Sequence, residues 1–344
     1  MKHHHSHLHP FRPSADLTHF YVITPISNSA RYETRYEWYW RFKEMCEAAG
    51  VKLITVEHQL GHRPFMVTEP NNKFHVQVRS VEELWMKENL VNVGIQRACD
   101  IDPKAREVAW VDADCFPLIP AVEWFEETWH QLQHYEFVQM WEWLQNLGPQ
   151  NQPVGGPQLS FMATYAAAGF QVPEEGNVKH TLAGHSGMIS LGRPGLAWAA
   201  NLSALNAVGG LIDFCILGSG DWHMAHGLVG AMKQGYTWES KRLSRYSEAL
   251  FDWQEKAERW IKRDVGYVPV TVGHWFHGNK VDRKYPTRGK ILVDNGYDPH
   301  TDIKYDSFGV LQLETHLPRQ IKLRDHIRNY FATRNEDSID LYRG

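Results

Sequence analysis

The sequence predicts an α/β domain with a mostly parallel central sheet flanked by crossover helices, and three observations predict it. An apolar run over 18–25, a stretch of helical periodicity over 32–49 and a second apolar run over 51–56 open the chain in the order strand, helix, strand. A further apolar run, Glu107–Val111, ends directly in Asp112-Ala113-Asp114. With 344 residues, 43% hydrophobic and 22% charged, the chain has the makings of a large globular core.

The first strand, Thr18-His19-Phe20-Tyr21-Val22-Ile23-Thr24-Pro25, is a buried run that proline closes. Asn28 and Ser29 offer caps to the helix behind it. Its apolar residues recur at Tyr32, Tyr36, Tyr39, Phe42, Cys46 and Ala49, and Gly50 stops it. Ser80 with Glu83 reads as a capping box, opening a helix through Leu84, Lys87, Val91 and Ile95 to Ala98. After strand 107–111 come an aromatic helix over 121–134 and a strand from Phe137 to Trp143. Residues 145–184 are rich in glycine and proline and read as long loops with a little helix, the mark of a functional lid or a disordered insert. Beyond them the pattern predicts a strand over 186–191, a helix over 194–206, a helix from Asp221 to Met232, a strand over 268–273 and a charged surface helix over 318–334. No repeat or linker divides the chain. The expected organisation is a His-rich, disordered arm over 1–16, one domain over 17–315, and a helical tail over 316–344.

Composition excludes several classes. Lys and Arg number 36 against 40 Asp and Glu, and the net charge of −4 argues against a whole-surface binder of nucleic acid or anionic membrane. A local basic groove is still compatible with it. No run approaches the roughly 18 apolar residues of a membrane span, and the start lacks the apolar run of a signal peptide. The four cysteines (Cys46, Cys99, Cys115, Cys215) are scattered, which predicts a reducing, cytoplasmic compartment. Tryptophan (14) and histidine (20) are abundant; flat rings suit stacking on sugars or bases, and a large aromatic core is the plainer account.

Chemistry concentrates in three places. Asp112-Ala113-Asp114 stands at the carboxyl end of an apolar strand, where open parallel sheets bind ligands. Two carboxylates one residue apart can face one divalent cation together with diphosphate oxygens, although aspartate is also an ordinary turn residue. Leu217-Gly218-Ser219-Gly220-Asp221-Trp222-His223 comes second. Its glycines allow close backbone approach, and Asp221 opens a helix as its N-cap, as an acid of the site, or as both. Third, Gly273-His274-Trp275-Phe276-His277-Gly278 leads into Asp282, Arg283, Lys284, Tyr285 and Arg288. Imidazole ligates transition metals and the basic side chains suit phosphate oxygens. Spaced by three on a strand, the two histidines would face opposite sides, so one of them is expected at a given site.

In this order the pieces resemble a metal-dependent glycosyltransferase of the GT-A fold, over roughly residues 18–315. The strand ending in Thr24-Pro25 with Arg31 beyond it resembles the nucleotide-binding opening, and Lys87 to Ile95 resembles the helix before the D-x-D strand. Ala109 to Asp114 resembles the D-x-D motif, Gly218 to Asp221 falls at the acidic motif beside the acceptor, and His277 falls at a C-terminal metal histidine. The chain is also similar to glycosyltransferase-like proteins of bacteria and phages, some of which glycosylate hydroxymethylated pyrimidines in DNA.

The resemblance implies a Rossmann-like sheet and a nucleotide-diphospho-sugar donor, a UDP-sugar foremost. It implies Mn²⁺ or Mg²⁺ on Asp112, Asp114 and His277, with His274 the alternative histidine. The donor is expected on Thr24, Pro25, Arg31, Lys87, Asn92, Asp112 and Arg283, with Asp221 as catalytic base. The acceptor is a glycan or a modified DNA base, reached through 145–184 with Trp141, Trp143 and Trp222 as stacking platforms. The acidic motif carries one carboxylate where several relatives carry two or three. Two other readings compete. A D-x-D phosphatase would carry its motif on the first strand, unlike this chain. A non-catalytic carbohydrate-binding protein needs neither nucleotide nor metal.

Overall fold

The computed structural model describes residues 13–341 apart from 173–178, 183–184 and 189–191. β1 (Phe20–Ser27), α1 (Glu33–Ala48), β2 (Lys52–Leu60), β3 (His75–Ser80), α2 (Lys87–Ile101) and β4 (Glu107–Val111) follow one another; the periodicity predicts all of them except β3, whose residues read as a polar segment. The central sheet has seven strands, in the order Val265–Tyr267, Phe137–Gln139, Ala197–Asn201, β4, β1, β2, β3. Neighbours run parallel except Ala197–Asn201, which is antiparallel to both of its own. The expected α/β class, a mostly parallel sheet flanked by helices, is what is found.

β4 shows why the sheet is buried on both faces. All five of its residues are buried. Val108 and Trp110 enter one apolar core with Leu90, Val91 and Ile95 of α2. Ala109 and Val111 enter the other with Phe42 of α1 and with Trp124 and Phe125 of helix Ala121–Leu132. Period-two alternation thus feeds two cores, and the strand reads as continuously apolar. Gly94 lets α2 lie directly on the sheet: a Cβ there would stand 2.5 Å from Ile23 Cγ2 and 3.1 Å from Val56 Cγ2.

A second, four-stranded sheet runs Cys115–Pro117, Thr271–His274, Trp143–Asn146, Gln158–Leu159. The chain leaves the central sheet at Gln139 and enters this one at Trp143, so the single strand expected over 137–143 is two strands in different sheets. The new sheet pairs His274 with Cys115 on one side and Asn146 on the other.

Several expectations need correction. Residues 194–206 are not one helix: Ala197–Asn201 is a strand and only Leu202–Val208 is helical. Ala-Trp-Ala-Ala favours helix in isolation, but here its small side chains fill a fully buried place between two strands, and tertiary packing overrides propensity. The capping box at Ser80 does not form, because Ser80 ends β3 and gives its hydroxyl to Glu82 O at 2.7 Å; α2 starts at Lys87. Of the strand expected over 186–191, His185–Met188 pairs with Lys179–Leu182, and the rest lies outside the described residues, as does most of the His-rich arm. Helix Pro318–Ala332 is charged on one side only. Its Leu323, Ile327 and Tyr330 enter the main core, so the segment after 316 is built into the domain rather than trailing it. Among the described residues no helix is long and apolar enough to cross a membrane.

Two stability predictions follow from this packing. Gly94→Ala should cost about 1–3 kcal/mol by overpacking α2 against β1, read as a lower urea midpoint. Burial also lowers the imidazoles of His58, His223 and His226, to about 4, 3 and 4. The unfolded chain therefore binds these protons first, at about pH 6.5. Their contribution is intact above that value and declines toward pH 4, so the unfolding midpoint should fall steeply through this window and less steeply in His58→Gln.

Candidate functional site

β4 ends at Val111, and the backbone turns at once: Cys115 N donates to Asp112 O at 2.9 Å. The turn sends the two aspartates different ways. Asp112 meets Lys87 of α2, Nζ to Oδ2 2.7 Å. Asp114 meets the end of strand Thr271–His274, where Trp275 N donates to its carbonyl at 2.9 Å. His277 Nε2 stands 2.9 Å from Asp114 Oδ2 and His274 Nε2 stands 3.6 Å from it. The two Nε2 atoms are 3.2 Å apart. Both histidines reach the same point, contrary to expectation, because the strand ends at His274 and the following turn re-aims His277.

This cluster passes a chemical test for a metal. His274 Nδ1 donates to Asn146 Oδ1 at 3.1 Å, which leaves a lone pair on Nε2. Arg283 Nη2, an obligate donor, lies 2.8 Å from His277 Nε2, so that atom also carries a lone pair. Asp114 Oδ1 is buried without a hydrogen-bond partner. Three lone-pair atoms, one carboxylate oxygen and two imidazole nitrogens, thus converge on one point. Burial pushes His274 down to about 4, keeping it neutral. The donor set fits a transition-metal ion. Asp112 stands outside it, held by Lys87; burial raises its carboxyl and the ammonium opposes the rise.

A cavity of about 580 Å³ opens over the cluster. Pro25, Lys87, Asp112, Asp114, Asp221, Trp222, His274, His277 and Arg283 all line it. Thr24 does not: it is buried, and its hydroxyl donates to Val111 O at 2.9 Å, tying β1 to β4. Arg31 is exposed in a turn at φ +58°; Arg35, one helical turn on, lines the cavity instead. Asn92 is spent on the loop after Leu202–Val208, donating to Leu211 O and Asp213 Oδ2 and accepting from Leu211 N. Trp141 is a core residue whose indole donates to Gly195 O, and Trp143 is not in the lining.

Asp221 is the second residue of helix Gly220–Leu228. The cap position belongs to Ser219, at φ +78°, and its side chain makes no capping bond. Asp221 Oδ1 accepts from Trp222 N at 2.8 Å, while a Cβ on Gly195 would stand 2.6 Å from Oδ2. Its carboxylate therefore sits at the positive end of a helix on the cavity wall.

Sequence reasoning missed Arg35, Lys280, Arg334 and Glu336 of the lining, and Asn146 behind His274. The basic residues after His277 were the one available signal. The C-terminal contributors had none, since they follow a helix that reads as surface.

No protein-family model matches the sequence, and no curated protein does. Among solved structures, the catalytic domain of Drosophila β1,4-galactosyltransferase 7 in complex with xylobiose is 12% identical, covering 88% of this chain and 98% of that one at a TM-score of 0.38. A mutant of that enzyme with manganese, UDP-Gal and xylobiose is 13% identical, covering 62% and 61% at a TM-score of 0.30. Overlap this loose carries no argument, and function rests on the residues.

A calorimetric titration with Mn²⁺ and no nucleotide should separate the two aspartates. Asp114→Ala and His274→Ala should lose binding, whereas Asp112→Asn should keep most of it. Equal loss in all three would place Asp112 among the ligands.

Proposed function

We propose that the protein is a metal-dependent glycosyltransferase of the GT-A type, moving a sugar from a nucleotide-diphospho-sugar to an acceptor hydroxyl. One observation carries the reading. A cavity at the carboxyl end of β4 joins a one-carboxylate, two-imidazole metal cluster to a wall of basic side chains and a carboxylate at a helix start.

Asp114, His274 and His277 are the residues that would hold the ion. Two imidazoles suit Mn²⁺ better than Mg²⁺, which prefers oxygen. When bound, the ion supplies Lewis-acid neutralisation of the departing diphosphate. Arg283 and Arg288 line the same cavity and are suited to the diphosphate oxygens. Lys87 keeps Asp112 turned away from the triad. Asp221 accepts the proton of the acceptor hydroxyl as that oxygen bonds to the anomeric carbon and the bond to diphosphate breaks. A single displacement of this kind inverts the anomeric centre.

UDP is the donor nucleotide we favour, and a glycan hydroxyl the acceptor. A hydroxymethylated pyrimidine in DNA needs a free basic face. Of the cations on and just after the C-terminal helix, Arg319 is paired with Asp302, Arg324 with Asp325, Arg328 with Glu82 and Arg334 with Glu336. Four free cysteines support a cytoplasmic setting. A purely sugar-binding protein has less in its favour, because it accounts for Trp222 on the cavity wall but not for the Asp114, His274 and His277 cluster.

The test is a thermal-shift titration with UDP, GDP, CDP and ADP, with and without Mn²⁺. UDP should raise the midpoint only with Mn²⁺, and not in Asp114→Ala. Asp221→Asn should keep that shift while turnover drops by roughly 10²–10⁴. No shift with any nucleotide in folded protein would sink the reading.

A further inference from the structure

The segment after helix Pro318–Ala332 brings a fully buried carboxylate to the back of the metal cluster, and nothing in the chemistry above uses it. Glu336 Oε2 lies 3.8 Å from His277 Nδ1. Arg35 grips the carboxylate with Nε at 2.5 Å and Nη2 at 2.8 Å, and Arg334 Nε stands 2.7 Å from Oε1. The backbone there is fastened on both sides. Gly278, at φ +83°, passes so close that a Cβ would stand 2.7 Å from Glu336 Cα. Asp337 accepts from Glu33 N and Thr34 N, each at 3.0 Å, and so closes the start of α1, whose own cap residue provides no side chain for it.

A carboxylate between two arginines is by itself only an ion-pair cluster. Two facts aim this one at His277. Arg283 donates to His277 Nε2, so the ring proton sits on Nδ1, the nitrogen that faces Glu336. The contacts of Arg35 and Arg334 fix the carboxylate with Oε2 facing that nitrogen. A metal histidine whose far N–H faces an anion is fixed in tautomer and made more basic. His274 has the neutral counterpart of this arrangement in Asn146.

We infer that Glu336 is a positioning residue of the metal centre, facing His277 Nδ1–H and so keeping the Nε2 lone pair available beside Asp114. At 3.8 Å the contact is electrostatic rather than a formed hydrogen bond. Arg35 and Arg334 hold the carboxylate in that place, which makes the C-terminal segment part of the site. The inference rests on the metal-dependent reading above.

The test is a Mn²⁺ titration of the full chain, followed by the electron paramagnetic resonance signal of the free ion. Wild type, Glu336→Gln, His277→Asn and the double variant are compared, each checked for folding by its metal-free unfolding midpoint. Glu336→Gln should weaken binding about 10–100-fold. In the His277→Asn background the same change should have little further effect, because the coupling runs through that ring. Equal loss in both backgrounds, or wild-type affinity in folded Glu336→Gln, overturns the inference and leaves a structural ion pair. A wild type that binds no Mn²⁺ overturns instead the metal-dependent reading beneath it. Should Glu336→Gln unfold by stranding two buried cations, Glu336→Gln with Arg334→Met removes one of them and serves in its place.

Discussion

Two imidazole nitrogens 3.2 Å apart, one of them 2.9 Å from a carboxylate oxygen, crowd more lone pairs into one place than there are protons to share. Such a cluster repels itself unless a cation sits in it, and the surrounding fold has to hold it together. Antiparallel pairing of His274 with Cys115 brings strand Thr271–His274 to Asp114. Gly273 lets that strand pass the Phe116 ring, which a Cβ would meet at 2.2 Å. Trp275, between the histidines, is stacked on Phe116 at 4.4 Å and on Trp38 at 4.9 Å. The Trp38 indole also donates to Phe276 O at 2.9 Å. The ligand turn is therefore clamped by aromatic packing from α1 and from the second sheet, which places the donors on a rigid support. Arg283 donates into the same crowd through His277, the one cation of this chain bonded to an imidazole nitrogen of the triad among the described contacts.

The separation of the two aspartates follows from the same turn. Asp112 and Asp114 are near neighbours in sequence, and both would compete for one ion if nothing drew them apart. Lys87 does so. Its ammonium is buried, and burial alone would favour loss of the proton, but Asp112, followed by Asp221, raises its affinity for that proton above the usual value. A charged lysine held between these two carboxylates keeps Asp112 as a second-row carboxylate and leaves Asp114 to the imidazoles. It also links the strand end to the helix start that carries Asp221. Lys87 is itself held by Gly94, since α2 can approach β1 and β2 closely only where no side chain intervenes.

How much of this was readable in the chain depends on whether a residue's role is local. β1, β2, α2 and β4 show their periods because both faces of the central sheet are apolar, and Asp112-Ala113-Asp114 is conspicuous because it interrupts a buried strand. Thr24, Arg31 and Asn92 sit beside visible motifs, yet Thr24 is spent on a carbonyl and Asn92 on a neighbouring loop, and Arg31 stands exposed in a turn. Only three-dimensional partners decide such cases. Ala197–Asn201 was misread since alanine carries no strand signature of its own and the sheet supplies the reason for the strand. Glu336 was beyond reach for another cause. Its partners, Arg35 and His277, lie about 300 and 59 positions away, and no spacing rule spans that distance.

The acidic motif was expected to be poor in carboxylates, with Asp221 alone where relatives have more. The structure supplies a second carboxyl from a different element. Glu88 of α2 lies beneath the start of helix Gly220–Leu228, so close that a Cβ on Gly220 would stand 2.7 Å from its Cδ. Burial drives its carboxyl up to about 8, and the indole of Trp85 donates to it at 3.0 Å. A neutral acid with an oxygen already accepting a hydrogen bond cannot remove a proton from an acceptor alcohol near neutral pH. Glu88 also faces away from the cavity, whose lining includes Asp221 and omits Glu88. Two carboxyl groups in unlike surroundings take unlike tasks. Here the buried one packs the helix start without adding a negative charge there, and the one on the cavity wall is left as the base. Sequence proximity to the glycines pointed to Asp221, and it is the burial of its neighbour that leaves the role to it.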